Sequence, residues 1–270
     1  MTAEITETSE TAGKTEKPNR MVRILVACMP KSGSTFLSTV ISELPGMRRE
    51  ILVPGFERRE QELSAQKIEE AILVTKALRT IRRQKGQTDS DFPLGFVAQH
   101  HVRYSQPTAQ LIGEHNIRSV VLVRNIFDAI VSIYDHFHSG NRPMSMAYIG
   151  DDFYNLDKDV AYEFIAEMVI PWYMNFYVSW KHCNKRKIMI RYEDLLENPE
   201  KTVARICKRH ADTIFSKDDI TAALDRAQGR NTRRNQAIAG RGEEIPERVR
   251  DKVRAYTTYY PSIDFTPIGL

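Results

Sequence analysis

Cysteine is scarce in this chain, and what there is does not pair. Cys28, Cys183 and Cys207 are scattered and odd in number, and none stands at Cys-x-x-Cys or metal-ligand spacing. That argues against a disulfide framework and leads us to expect reduced thiols in a cytoplasmic protein. Long apolar runs are missing too: nothing approaches the ~18 uninterrupted apolar residues of a membrane span. The richest stretch, "EMVIPWYMNFYVSW", is broken by Pro171 and Asn175 and reads as a buried helix. Charge of one sign is also lacking. With 39 Lys and Arg against 35 Asp and Glu, the net charge is only +4. This is too mild to argue for nucleic acid but suits an anionic ligand. The opening "MTAEITETSETAGKTEKPNR" has no apolar core, which speaks against a signal peptide or anchor and predicts a disordered tail over 1–20. No repeat and no linker divides the rest, so 21–270 is expected to be one domain.

What is present is an alternation of strand-like and helix-like segments. "VRILVACM" (22–29), "LGFVAQHHV" (94–102), "IRSVVLVRN" (117–125) and "KIMIRYEDLL" (187–196) are short and rich in β-branched residues, as buried parallel strands are. Helical patterns follow the first strand as far as Pro45-Gly46, and also occupy 57–84 and 127–137. Another opens at the Asn198-Pro199 cap and runs to about 211, and a last one lies near 247–256. The expected fold is α/β: three α/β/α layers around a mainly parallel sheet, P-loop NTPase-like, with a helical insertion at 46–95.

The stretch "RILVACMPKSGSTFLSTVI" joins the first strand to its helix through Met29-Pro30-Lys31-Ser32-Gly33-Ser34-Thr35. A Gly- and Ser-rich turn at a helix N-terminus aims several backbone N–H groups one way and makes an anion site. In a Walker loop the lysine comes after the glycines, directly before Ser or Thr. Here Lys31 comes first, placed to reach across the mouth towards a bridging oxygen. The third strand ends on Arg124, where an NTPase commonly has a metal-holding Asp. Asn125 and Asp128 have capping-box spacing, and Ser132 lies on the helix beyond. A cation and a hydroxyl placed this way suit a second phosphate rather than a metal, which disfavours a kinase.

These segments resemble the sulfotransferases that use 3′-phosphoadenosine 5′-phosphosulfate (PAPS), the bacterial members in particular. "PKSGSTFL" is similar to their 5′-phosphosulfate loop, and "VLVRNIFDAIVSIYDHF" to their 3′-phosphate motif. "IRYEDLLENPEKTV" and "AGRGEE" resemble later family segments in the same order. The resemblance implies that Lys31, Ser32, Gly33, Ser34, Thr35 and Phe36 bind the cofactor's 5′ end. It implies that Arg124, Ser132, Arg241 and Gly242 lie at the 3′-phosphate, and that Tyr192 is a cofactor-site tyrosine. It further implies PAPS as donor, 3′-phosphoadenosine 5′-phosphate (PAP) as product, no metal, and Lys31 stabilising the leaving group. The partner would be a small-molecule, carbohydrate or lipid acceptor with a hydroxyl, or less readily an amine.

A proton must leave the acceptor hydroxyl, and His100 and His101 are the candidates for its base. Adjacent strand residues face opposite ways, and the family's histidine aligns with His101. Glu50, Glu60 and Glu62 are rival bases, each also readable as a solvated charge. Arg226, Arg230, Arg233 and Arg234 are read as a solvated face or as a lure for an anion. Phe153, Tyr154, Trp172, Tyr173, Phe176 and Tyr177 fit core packing better than an acceptor pocket. The segments 46–95 and 138–158 are expected to hold lids over the substrate. A kinase with an atypical loop and a non-catalytic PAP binder remain the rival functions.

Overall fold

The computed structural model describes residues 21–54, 62–87, 95–139, 147–211, 215–228, 230 and 239–270. The expected tail, Glu60, Arg233 and Arg234 lie outside the described residues, as do parts of the two lid segments. Five strands form the sheet: β1 (Val22–Cys28), β2 (Met47–Glu50), β3 (Gly95–His100), β4 (Arg118–Val123) and β5 (Lys187–Arg191). Their spatial order is β2-β3-β1-β4-β5, and every neighbouring pair is parallel. Between them run α1 (Ser34–Glu43), α2 (Ala65–Gln84), α3 (Gln106–Glu114), α4 (Ile126–His138), α5 (Lys158–Met168) and α6 (Ile170–Lys181). After β5 come α7 (Tyr192–Glu197), α8 (Pro199–His210), α9 (Lys217–Gln228) and α10 (Glu247–Ala255).

The strand period of two sorts the core into two halves. Ile24, Val26 and Cys28 of β1 join Val97, Val120, Leu122 and Ile190 beneath α1, α8 and α9. Leu25 and Ala27, with Met29 just beyond the strand, join Phe96, Ala98, Val121 and Val123 beneath α4, α5, α6 and α10. Both faces are covered, which gives the three layers expected. The aromatic run of α6 also behaves as core, with Tyr173, Phe176, Tyr177 and Trp180 all fully buried. Among the described residues no helix is long and apolar enough to cross a membrane.

Two boundaries differ from the sequence reading. The stretch taken as an all-helical insertion contains β2, whose "MRRE" is an edge strand with three polar residues and so carries no apolar signal. The strand expected over 187–196 ends at Arg191, and Tyr192-Glu193-Asp194 turn into the short α7. Chain order places β1 centrally, between β3 and β4. The connections leave in opposite directions there, and in such sheets the crevice at the strands' carboxyl ends is where ligands bind.

Candidate active site

At that crevice β1 passes into the Met29–Gly33 turn. Lys31 (φ 61°) and Gly33 (φ 76°) both have left-handed backbones, on either side of Ser32. Three consecutive carbonyls of the turn are each held by a side-chain donor. Ser32 Oγ donates to Met29 O at 2.5 Å, Tyr173 Oη to Pro30 O at 3.1 Å, and Arg124 Nη1 to Lys31 O at 2.7 Å. A trans peptide points its C=O and N–H in opposite directions. Fixing the Pro30 and Lys31 carbonyls on these side chains therefore turns the Lys31 and Ser32 N–H groups away from Tyr173 and Arg124. α1 then begins after its N-cap Gly33 with no side-chain cap and no acid in its first turn. An anion is favoured at such a helix start by the first-turn amides and by the helix dipole. The donor set fits a phosphate: loop amides, a helix N-terminus and the Lys31 cation.

Gly33 is dictated by contact as well as by backbone. A Cβ built there would sit 2.7 Å from Cε2 of Tyr192. The Tyr192 ring lies over the turn, with the Arg124 guanidinium 4.5 Å from its centroid. Arg124 is thus buried between the Lys31 carbonyl and an aromatic face, joining the end of β4 to the loop. Ser132 is buried two turns along α4, and Ser34 and Phe36 are buried at the start of α1 while Thr35 is partly so.

Asn125 caps α4 as its spacing suggests, accepting from Phe127 N and Asp128 N, but Asp128 does not complete the box. The Asn125 N–H goes instead to Glu193 Oε1 at 2.9 Å. Asp128, buried, takes two amides from the distant Gly240–Gly242 turn, Gly240 N on Oδ2 at 2.8 Å and Gly242 N on Oδ1 at 2.7 Å. Gly242 lies so close to α4 that an added Cβ would stand 2.4 Å from Cβ of Phe127. Arg241 reaches along α4 to Asp135 at 2.6 Å, one turn past Ser132.

The adjacent histidines have separate surroundings. His100 ends β3 and is buried; its Nε2 accepts from Leu52 N at 2.9 Å and pins the chain after β2. Burial first, then His101 and Arg49, bring its pKa down to about 4, so it is neutral near pH 7. The catalytic part expected of it therefore conflicts with a structural one. His101 is partly buried, and its Nδ1 donates to Cys28 O at 2.9 Å, with Cys28 Sγ at 3.4 Å. A carbonyl only accepts, so Nδ1 carries the hydrogen and the lone pair is on Nε2. Burial pulls the His101 pKa down, but the Cys28 thiol and carbonyl beside it more than offset this and the net shift is upward. Of the glutamates, Glu50 is paired with Arg48 within β2, and Glu62 is exposed. Arg226 and Arg230 both bind Glu43 at the end of α1.

Sequence reasoning missed Tyr173 as the donor to Pro30, Glu193 as the acceptor for Asn125, and the Asp128 clamp. Only the clamp left a trace, an acid at capping spacing. No group of three or more His, Cys, Asp or Glu able to hold a metal gathers among the described residues.

A family model, that of the sulfotransferase domain, matches residues 22–252. The chain belongs to the sulfotransferase domain family. A mouse sulfotransferase, SULT7A1, solved with PAP, superposes on this sulfotransferase with a TM-score of 0.59 at 16% identity, over 92% of this chain and 86% of that one. A sulfotransferase from Alicyclobacillus acidocaldarius gives a TM-score of 0.46 at 16% identity, over 92% and 94% of the two chains. No match appears among curated protein sequences. The mouse enzyme's likeness establishes the fold, and the family match establishes sulfuryl transfer as the general activity.

Proposed function

We propose that this sulfotransferase uses PAPS as donor and a hydroxylated small molecule, carbohydrate or lipid as acceptor. The observation that carries this reading is the set of three fixed carbonyls, which turns the amides of Lys31 and Ser32 away from Tyr173 and Arg124. Those amides, with Ser34, Thr35 and the first turn of α1, would hold the 5′-phosphate. Arg124, Ser132, Arg241 and Gly242 would serve the 3′-phosphate, with Tyr192 and Phe36 against the nucleoside. Bound PAPS supplies an activated sulfuryl group. Lys31 stabilises negative charge growing on the departing phosphate oxygen, an interaction stronger in the transition state than before it. His101 takes the acceptor's proton at Nε2, while the Cys28 carbonyl holds the other nitrogen and fixes the ring.

Incubation with sulfur-labelled PAPS and a panel of hydroxylated acceptors tests the reading. Label should move to an acceptor, with or without EDTA. Absence of PAP binding by folded protein, or Mg²⁺-dependent turnover of ATP instead, would overturn it.

A further inference from the structure

The helix α2 is longer than anything it packs on. Its 20 residues span ~30 Å at 1.5 Å per residue, whereas the neighbouring edge strand β2, four residues long, spans ~13 Å. Its buried residues, Ile68, Ala71 and Thr75, all lie in the first eleven positions. Arg48 of β2 fastens that half through Ala71 O at 2.6 Å and Thr75 Oγ1 at 2.9 Å. Beyond Thr75 no residue of α2 is buried.

The outer half is nevertheless apolar along one side. Leu73, Val74, Leu78 and Ile81 are 62%, 48%, 36% and 48% exposed, and Ala77 is exposed as well. Val74, Ala77, Leu78 and Ile81 recur at the three- and four-residue spacing of a helical seam. At 100° per residue Lys76, Arg79 and Arg83 project from the other side. One turn before the seam stands Glu70, and one turn after it stands Lys85. Glu70 accepts from Gln66 Nε2 at 2.9 Å and from Lys67 Nζ at 2.7 Å, both on the surface.

We infer that this seam is the contact between two copies of the chain, packed antiparallel about a two-fold axis between Ala77 and Leu78. That axis sets Val74 against Ile81 of the second copy and Ala77 against its Leu78. Positions whose numbers sum to 155 face one another, so Glu70 meets Lys85 at both ends of the seam. Such a contact is isologous, as a two-fold requires. A parallel pair would instead oppose Glu70 to Glu70 and Lys85 to Lys85. An anionic bilayer is a poorer partner, because the seam carries charges of both signs and three of the helix's cations point away from it. Four apolar residues per copy bury less than the ~1,200 Å² of a standard stable interface, so association is weak and reversible, with a dissociation constant of about 10–100 µM.

Sedimentation velocity of the full chain from about 1 to 200 µM tests this, and should show a shift from monomer to dimer across the range stated above. Leu78→Glu should stay monomeric throughout while keeping its circular dichroism, since Leu78 belongs to neither of the two buried core clusters. Glu70→Lys and Lys85→Glu should each weaken the dimer severalfold, and the double exchange should restore it. A monomer at every concentration overturns the proposal. So does a dimer indifferent to Leu78→Glu, or a double exchange that fails to restore association. Flotation of monomer with phosphatidylglycerol vesicles, lost in Leu78→Glu, would give the seam to a lipid surface and overturn it too.

Discussion

Asp128 accepts the N–H of Gly242 at 2.7 Å across more than a hundred residues of chain, and its other oxygen takes Gly240. One buried carboxylate thus fastens the late glycine turn to the helix that follows β4. Asn at this position keeps one acceptor and sets an NH₂ against an amide donor, so Asp128→Asn should release half of the clamp. Hydrogen exchange at Gly240 and Gly242 should rise in the variant, and calorimetry should show weaker PAP binding. Exchange unchanged from the parent would remove the clamp from the account of the site.

Lys31 and Arg124 should fail in different ways. Lys31→Ala removes charge stabilisation and should lower turnover by ~10²–10³-fold with little change in PAP affinity. Arg124→Ala leaves the Lys31 carbonyl without its buried donor, a loss of ~1.5–3 kcal/mol for a charged hydrogen bond. It should therefore lower the melting temperature and weaken PAP binding together. Steady-state rates beside calorimetry separate the two, and full activity in Lys31→Ala would end the role given to that side chain.

Gly33→Ala meets two obstacles, a left-handed backbone and the Tyr192 ring at 2.7 Å. Loss of PAP binding and a lower melting temperature are expected. Adding Tyr192→Ala should recover part of the stability by clearing the ring, though not all, since the backbone strain remains. Full recovery would mean that the steric clash alone requires glycine.

Acidity should reach the reaction through His101. Its pKa is raised, and a base works only when unprotonated, so kcat/KM should fall with decreasing pH from a point above the ordinary 6.5 of histidine. Replacing Cys28 with alanine removes the thiol's share of what raises that pKa, while the carbonyl's hydrogen bond stays, and should move the acid limb down. His100, with a pKa of about 4, should leave the limb unmoved in His100→Gln. For stability the sign runs through the unfolded chain, which binds a proton there near pH 6.5 while the folded His100 does not. The stabilisation from neutral His100 is thus present above pH 6.5 and lost as pH falls towards 4. An acid limb that follows His100 rather than His101 would reverse the assignment.

How much of this could be read beforehand depended on how local each signal was. β1, β3 and β4 are buried on both faces, so their apolar runs announced them. β2 stayed hidden because "MRRE" at an edge needs few apolar residues, and β5 was read too long because Leu195 and Leu196 belong to α7 yet continue an apolar pattern. The loop was legible because Pro30 to Thr35 are contiguous and their chemistry is in their order. Its supports were not: Tyr173 and Arg124 meet it from 143 and 93 residues away, and no spacing rule spans that distance. The family resemblance already pointed to His101, but the physical difference between the two histidines emerged only once their neighbours Leu52 and Cys28 were in place.

The hold that Ser32, Tyr173 and Arg124 keep on successive peptide units has a dynamic side. Two of these anchors come from the middle of the molecule, so loosening the turn would require loosening α6 or the end of β4 as well. A ligand arriving there meets a receptor already shaped, and its capture should be a single fast step whose rate follows encounter rather than rearrangement.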